Sequence, residues 1–126
     1  MTSAHTHRLA ALALLAVCAL PASAQIKIGV TLSTTGPAVS LGIPEKNTIA
    51  LLPRAIAGKS VEYIVLDDAS DTSAAVVNTR RFTLEDKVDA IIGSTTTPNS
   101  LAMPDLVADS ATPTISLASS ARIIEP

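Results

Sequence analysis

The sequence is poor in the side chains on which most covalent and metal chemistry depends. It has no tryptophan, one phenylalanine, one tyrosine, one cysteine and two histidines in 126 residues. The cysteine is Cys18 and the histidines are His5 and His7, so from residue 25 onward there is no Cys, His or Trp. That stretch has no material for a Ser-His-Asp or Cys-His nucleophile system. It has none for the usual zinc sites or for a disulfide. Neither catalysis nor a cofactor is expected. Positive charge is also scarce: eight Lys or Arg against eleven Asp or Glu from residue 25 on leave a net charge of −3. Without a basic run, the electrostatic footprint of a nucleic-acid binder is missing. The longest apolar run, Leu9 to Leu20, is too short to cross a bilayer.

That run has a different reading. Met1 to Arg8 is polar with one arginine, Leu9 to Leu20 is apolar, and Pro21-Ala22-Ser23-Ala24 supplies small residues before Gln25. This is the layout of a secretory signal cut after Ala24, which predicts export. Cys18 is an alternative lipid-attachment site, but the bulky Val17 stands where a small residue belongs. An uncleaved membrane anchor is a third reading. Residues 25–126 then suffice for one small core.

Beyond Gln25 the pattern alternates between strands and helices. Gln25 to Leu32 is rich in β-branched residues and reads as a strand. Ser33-Thr34-Thr35-Gly36-Pro37 is turn chemistry. Pro44 and Glu45 suit a helix start, with Ile49, Ala50, Leu52 and Ile56 on its apolar side and Pro53 near its end. Val61 to Leu66 is a second strand, followed by the acidic turn Asp67-Asp68. That turn is explained by solvation and a helix dipole rather than by acid–base work. A helix over about Ser73 to Glu85 is expected to be capped by Asp71 or Thr72. Its predicted core side holds Ala74, Val77 and Phe82, with Arg80 and Arg81 in solvent. Tyr63 is expected in the core too.

The stretch from Val88 to Ser100 is the most informative. Val88 to Ile92 reads as a buried strand, and Gly93 lets the chain turn. Ser94-Thr95-Thr96-Thr97-Pro98 follows. Pro98 suits the first helical position, which makes Thr97 the expected N-cap. Hydroxyls beside unpaired amides at a helix start favour a carboxylate or phosphate. Pro104 either kinks this helix or separates a loose first turn from the regular part. Thr114 to Leu117 is a fourth strand, leading to Ser119 and Ser120.

Strand, helix, strand, helix, strand, helix, strand predicts an α/β fold: a Rossmann-like parallel sheet with right-handed crossovers and helices on both faces. Ligands of such sheets bind beyond the carboxyl ends of the strands. Hydroxyl-rich loops at Ser33 to Thr35, Ser94 to Thr97 and Ser119 to Ser120 would share that edge, which favours a small-molecule site.

Four segments also carry a resemblance to a known family. They are IKIGVTLSTTGPAVSLG from Ile26, VEYIVLDDASDTSAAV from Val61, EDKVDAIIGSTTTPNSLAMP from Glu85 and TPTISLASSARIIEP from Thr112. Together they resemble the start of a periplasmic substrate-binding protein of the branched-chain amino acid (Leu/Ile/Val) ABC-transporter type, with the type I periplasmic binding protein fold. The resemblance implies two Rossmann-like lobes that close on a small ligand, an amino acid or small organic acid. It also implies delivery to an inner-membrane ABC permease. Residues 25–126 would be a partial first lobe and the chain an amino-terminal fragment. Carried over by motif, the hydroxyl that holds the ligand carboxylate falls on Thr97, with Thr95 and Thr96 beside it. Ser119 and Ser120 contribute after the fourth strand. The family's acidic partner for the ligand ammonium would lie beyond Pro126. Threonine rather than serine at 97 adds a methyl group, which bears on ligand choice. A ligand-sensing regulator of the same fold, without a transport role, is the alternative function.

Overall fold

The computed structural model describes residues 25–125. The expected signal segment and Cys18 lie outside the described residues. The chain runs β1 (Ile26–Leu32), α1 (Val39–Ala50), β2 (Ala55–Ile56), β3 (Lys59–Asp67), α2 (Thr72–Arg80), β4 (Ala90–Ile92), α3 (Thr97–Leu101), α4 (Pro104–Asp109) and β5 (Thr114–Ile115). A wide π-type turn over Arg81–Asp86 extends α2, and a short 3-10 turn covers Ala121–Ile123.

The strands order as β2-β3-β1-β4-β5. β1 pairs in parallel with β3 from Ile26↔Val61 to Leu32↔Asp67, and with β4 from Ile28↔Ala90. β4 pairs in parallel with β5, and only β2 runs antiparallel, against β3. The α/β class and the parallel core are as expected, but the sheet has five strands rather than four. The additional β2 forms a hairpin with β3.

Strand alternation sends side chains to two cores. Val30, Leu32 and Ile49 cluster on one face with Ile28, Tyr63, Val65 and Ile92, beneath α1. Phe82, Val88, Ile91 and Met103 cluster on the other with Ile64, Leu66 and Val107, beneath α2 and α4. Helices therefore cover both faces. Phe82 is fully buried, and its ring occupies the space left by the missing side chain of Gly29, where a Cβ would come within 2.6 Å.

Two local expectations are corrected, and the choice left open at Pro104 is resolved. First, α1 begins at Val39, so Pro44 lies inside it rather than at its start. Proline removes one helical bond, and the helix starts without a side-chain cap, from Ala38. Second, the core side of α2 is Ala75, Thr79 and Phe82; Val77 is 63% exposed. Thr79 tolerates burial because its hydroxyl donates to the Ala75 carbonyl at 2.8 Å. The helix after Gly93 is two pieces, broken at Ala102 and Met103, with Pro104 opening α4 at a position that needs no N–H. The Asp71 cap is as expected: its carboxylate accepts from the Ala74 amide at 2.9 Å.

Candidate functional site

Because β1, β3, β4 and β5 are parallel, the loops after them leave the same edge of the sheet. The chain passes from β3 on one side of β1 to β4 on the other, so strand order reverses at β1. Ligand crevices of open α/β sheets open at such a reversal.

Two aspartates at the end of β3 build this edge. Asp68 is fully buried. Its carboxylate accepts from Ser33 Oγ at 2.7 Å, Ser94 Oγ at 2.6 Å, Thr31 Oγ1 at 3.3 Å and the Ser70 amide at 3.0 Å. Asn78 of α2 extends the network by donating to Thr31 Oγ1 at 3.1 Å. A carboxylate read from sequence as part of a solvated turn is instead the knot joining the ends of β1, β3 and β4. Asp67 clamps the neighbouring loop. It accepts from Thr35 Oγ1 at 2.6 Å and from the amides of Thr34, Thr35 and Ala69. Desolvation alone would raise its pKa, but the bonds from Thr35, Ala69 and Thr34 together hold it below the ordinary 3.8.

The loop after β4 is shaped by Gly93, with φ of +123° and no room for a Cβ, which would stand 2.1 Å from the Thr31 carbonyl oxygen. Ser94 then donates to Asp68, and its backbone is bracketed by Ser100, which accepts from its amide and donates to its carbonyl. Ser116 Oγ, after β5, donates to Ser100 Oγ at 3.0 Å. A chain of hydroxyls thus links the β4 and β5 loops.

The expected site residues divide into two kinds. Thr95 is buried and committed: its hydroxyl donates to Glu45 Oε2 at 2.6 Å and accepts from the Ser33 amide at 3.0 Å. By contrast, the hydroxyls of Thr96, Thr97, Ser119 and Ser120 make no hydrogen bond among the described residues. Thr96, Thr97 and Ser120 are half-buried and Ser119 is exposed. Thr96, not Thr97, is the N-cap of α3, and its side chain makes no cap bond. With only five residues, α3 offers little dipole, so individual amides and hydroxyls carry any attraction for an anion. Ser119 and Ser120 line a groove of about 460 Å³ with Ile115, Ala118 and Ile123, to which Thr95, Thr96 and Thr97 do not contribute. A second cavity of about 440 Å³ lies under the β5 flank among Met103, Val107, Ile123 and Ile124. The sequence reading missed Glu45 as a partner of Thr95, since the two are 50 positions apart. It also missed Asn99, which is 1% exposed with neither amide atom paired among the described residues.

The arrangement ties carboxylates to loop hydroxyls and amides. It offers hydroxyl donors on a stiff polar edge. A family model described as periplasmic binding protein matches residues 25–124. Among solved structures, an extracellular ligand-binding receptor from Rhodopseudomonas palustris HaA2 is 45% identical, with a TM-score of 0.79 over 82% of this chain and 28% of that one. A solute-binding protein of an ABC transporter from Rhodopseudomonas palustris BisB5, in complex with 3,4-dihydroxybenzoic acid, is 30% identical, with a TM-score of 0.76 over 80% of this chain and 29% of that one. A leucine-binding protein from Thermotoga maritima is 27% identical, with a TM-score of 0.71 over 78% of this chain and 29% of that one. This chain thus aligns with less than a third of the length of each of these relatives. No curated protein matches the sequence. The chain belongs to the periplasmic binding protein family.

Proposed function

We propose that this periplasmic binding protein chain carries one wall of the solute site of an exported ABC importer component. The solute is a small carboxylate, of the branched-chain amino acid or hydroxylated aromatic acid kind. The carrying observation is the contrast along the rim: Asp67, Asp68 and Thr95 are saturated by internal partners, while the hydroxyls of Thr96, Thr97, Ser119 and Ser120, on the same sheet edge, have no partner among the described residues. Free donors on a rigid, already satisfied support are what a carboxylate needs. The ligands named for two relatives, leucine and 3,4-dihydroxybenzoic acid, both carry a carboxylate. In this reading the chain performs no catalysis, resides in the periplasm and delivers to an inner-membrane permease.

The test is titration of the 126-residue chain with L-leucine and with 3,4-dihydroxybenzoate, followed by NMR. Thr97→Ala removes one hydrogen bond to a charged group and is expected to weaken binding about tenfold. Equal affinity of the variant and the wild type would exclude Thr97 as the carboxylate anchor.

A further inference from the structure

We infer that Glu45 selects ligands bearing a hydrogen-bond donor, an ammonium or a hydroxyl group, beside their carboxylate. The inference rests on the carboxylate reading of Thr96 and Thr97 given above.

The fold brings Glu45 to the rim by a close approach. Gly42 of α1 lies against the loop after β1, where a Cβ would come within 2.1 Å of the Ser33 carbonyl oxygen. With no side chain there, α1 lies along that loop. Glu45, three residues on, reaches the loop after β4. Its Oε2 accepts from Thr95 Oγ1 at 2.6 Å, within the range of a charge-assisted O–H···O bond. Thr95 also accepts from the Ser33 amide. With its proton and a lone pair both engaged, the Thr95 hydroxyl is spent, and the Glu45 carboxylate stands against the loop that carries Thr96 and Thr97.

Glu45 is the rim carboxylate with capacity to spare. Asp67 and Asp68 each accept four hydrogen bonds from the loops around them. Glu45 Oε1 accepts none among the described residues, and the side chain is half-buried rather than shielded. It has no salt-bridge partner among the described residues, where the ion pair is Arg81–Asp86, at the end of α2. The free hydroxyl of Thr96 belongs to the residue after Thr95. A ligand carboxylate held by Thr96 and Thr97 therefore lies beside a fixed negative charge. A bare carboxylate meets repulsion there. A ligand with its own ammonium or hydroxyl group satisfies Oε1 and offsets the charge.

Glu45→Gln separates this role from simple tethering of the loop. The glutamine oxygen still accepts from Thr95, while the charge is gone. The experiment uses two ligand pairs on the 126-residue chain, followed by NMR: L-leucine against 4-methylpentanoate, and mandelate against phenylacetate. In the wild type the donor-bearing member of at least one pair is expected to bind about tenfold tighter. The pair that responds tells ammonium from hydroxyl recognition. In Glu45→Gln the same ratio should fall below about threefold, while the Thr95 amide signal keeps its position. A ratio unchanged by the substitution overturns the inference and leaves the carboxylate site standing. If the variant does not fold, the wild type decides alone: ratios near one in both pairs overturn it. Absence of any shift at Thr96 and Thr97 with all four compounds overturns both the site and the inference.

Discussion

At one flank of the sheet, the ends of β1, β3 and β4 are tied by Asp68 and Asp67, whose carboxylates each accept four hydrogen bonds. At the other flank, β5 is two residues long, Ile115 is 64% exposed and Ile124 is 78% exposed. The apolar cavity among Met103, Val107, Ile123 and Ile124 opens on that side. The polar edge and the apolar flank are thus finished independently. Order at the rim comes from hydrogen bonds among loops close in space, and it does not wait for the β5 flank to be covered. A buried, fully satisfied polar network specifies one geometry, whereas an uncovered apolar flank specifies none.

The largest effect should come from cutting the knot. Asp68→Ala leaves the buried hydroxyls of Ser33 and Ser94 and the Ser70 amide without their acceptor, at a cost on the order of 3–5 kcal/mol. In urea unfolding this should appear as a large drop in midpoint or as loss of the cooperative transition. A cost as small as that of a surface change would break the contrast between the flanks.

A smaller effect should follow from Asp67. Its folded-state pKa lies below the ordinary 3.8. The folded state therefore binds the proton less readily than the unfolded chain. The stability this contributes is present above the unfolded value and is lost as pH falls through the lower folded one. Stability measured down through the range below about pH 4 should fall more steeply for the wild type than for Asp67→Asn. Parallel curves would show that the clamp on Thr34 and Thr35 adds nothing. The smallest effect on folding belongs to the open flank: Ile124→Lys should change stability by under about 0.5 kcal/mol. It should reduce self-association in sedimentation, because exposed apolar side chains beside an unpaired strand edge invite pairing. A large destabilisation would mean that Ile124 is already packed.

The residues that announced themselves in the sequence acted through local chemistry. Gly93 marks a turn because its φ is positive, Asp71 caps a helix because its carboxylate reaches the amide three residues on, and the strand alternation sorts side chains to two faces. What escaped was either weakly signalled or non-local. The β2–β3 hairpin turns through Ala57 and Gly58, with φ of +50° and +76°. A tight hairpin turn of that kind is normally advertised by Asn-Gly or Asp-Gly, and alanine at the first position hides it. The start of α1 has no capping side chain, so Pro44 drew the helix start to itself. The Asp68 knot and the Glu45–Thr95 bond join residues that only the β-strand order brings together. The hydroxyl loops could be placed on one edge from the strand pattern, but which hydroxyls are spent and which are free could not.

On the proposed function, the carboxyl edge is a prepared receiving surface. That is tested most directly by mapping, on the isotope-labelled 126-residue chain, the amide signals that move as L-leucine or 3,4-dihydroxybenzoate is added. Saturable shifts are expected at Thr96 and Thr97 and at Ser119 and Ser120, with the Asp68-bound residues Ser33 and Ser94 nearly still. Shifts centred instead on the apolar cavity at Met103, Val107 and Ile124, with the threonines unmoved, would contradict it.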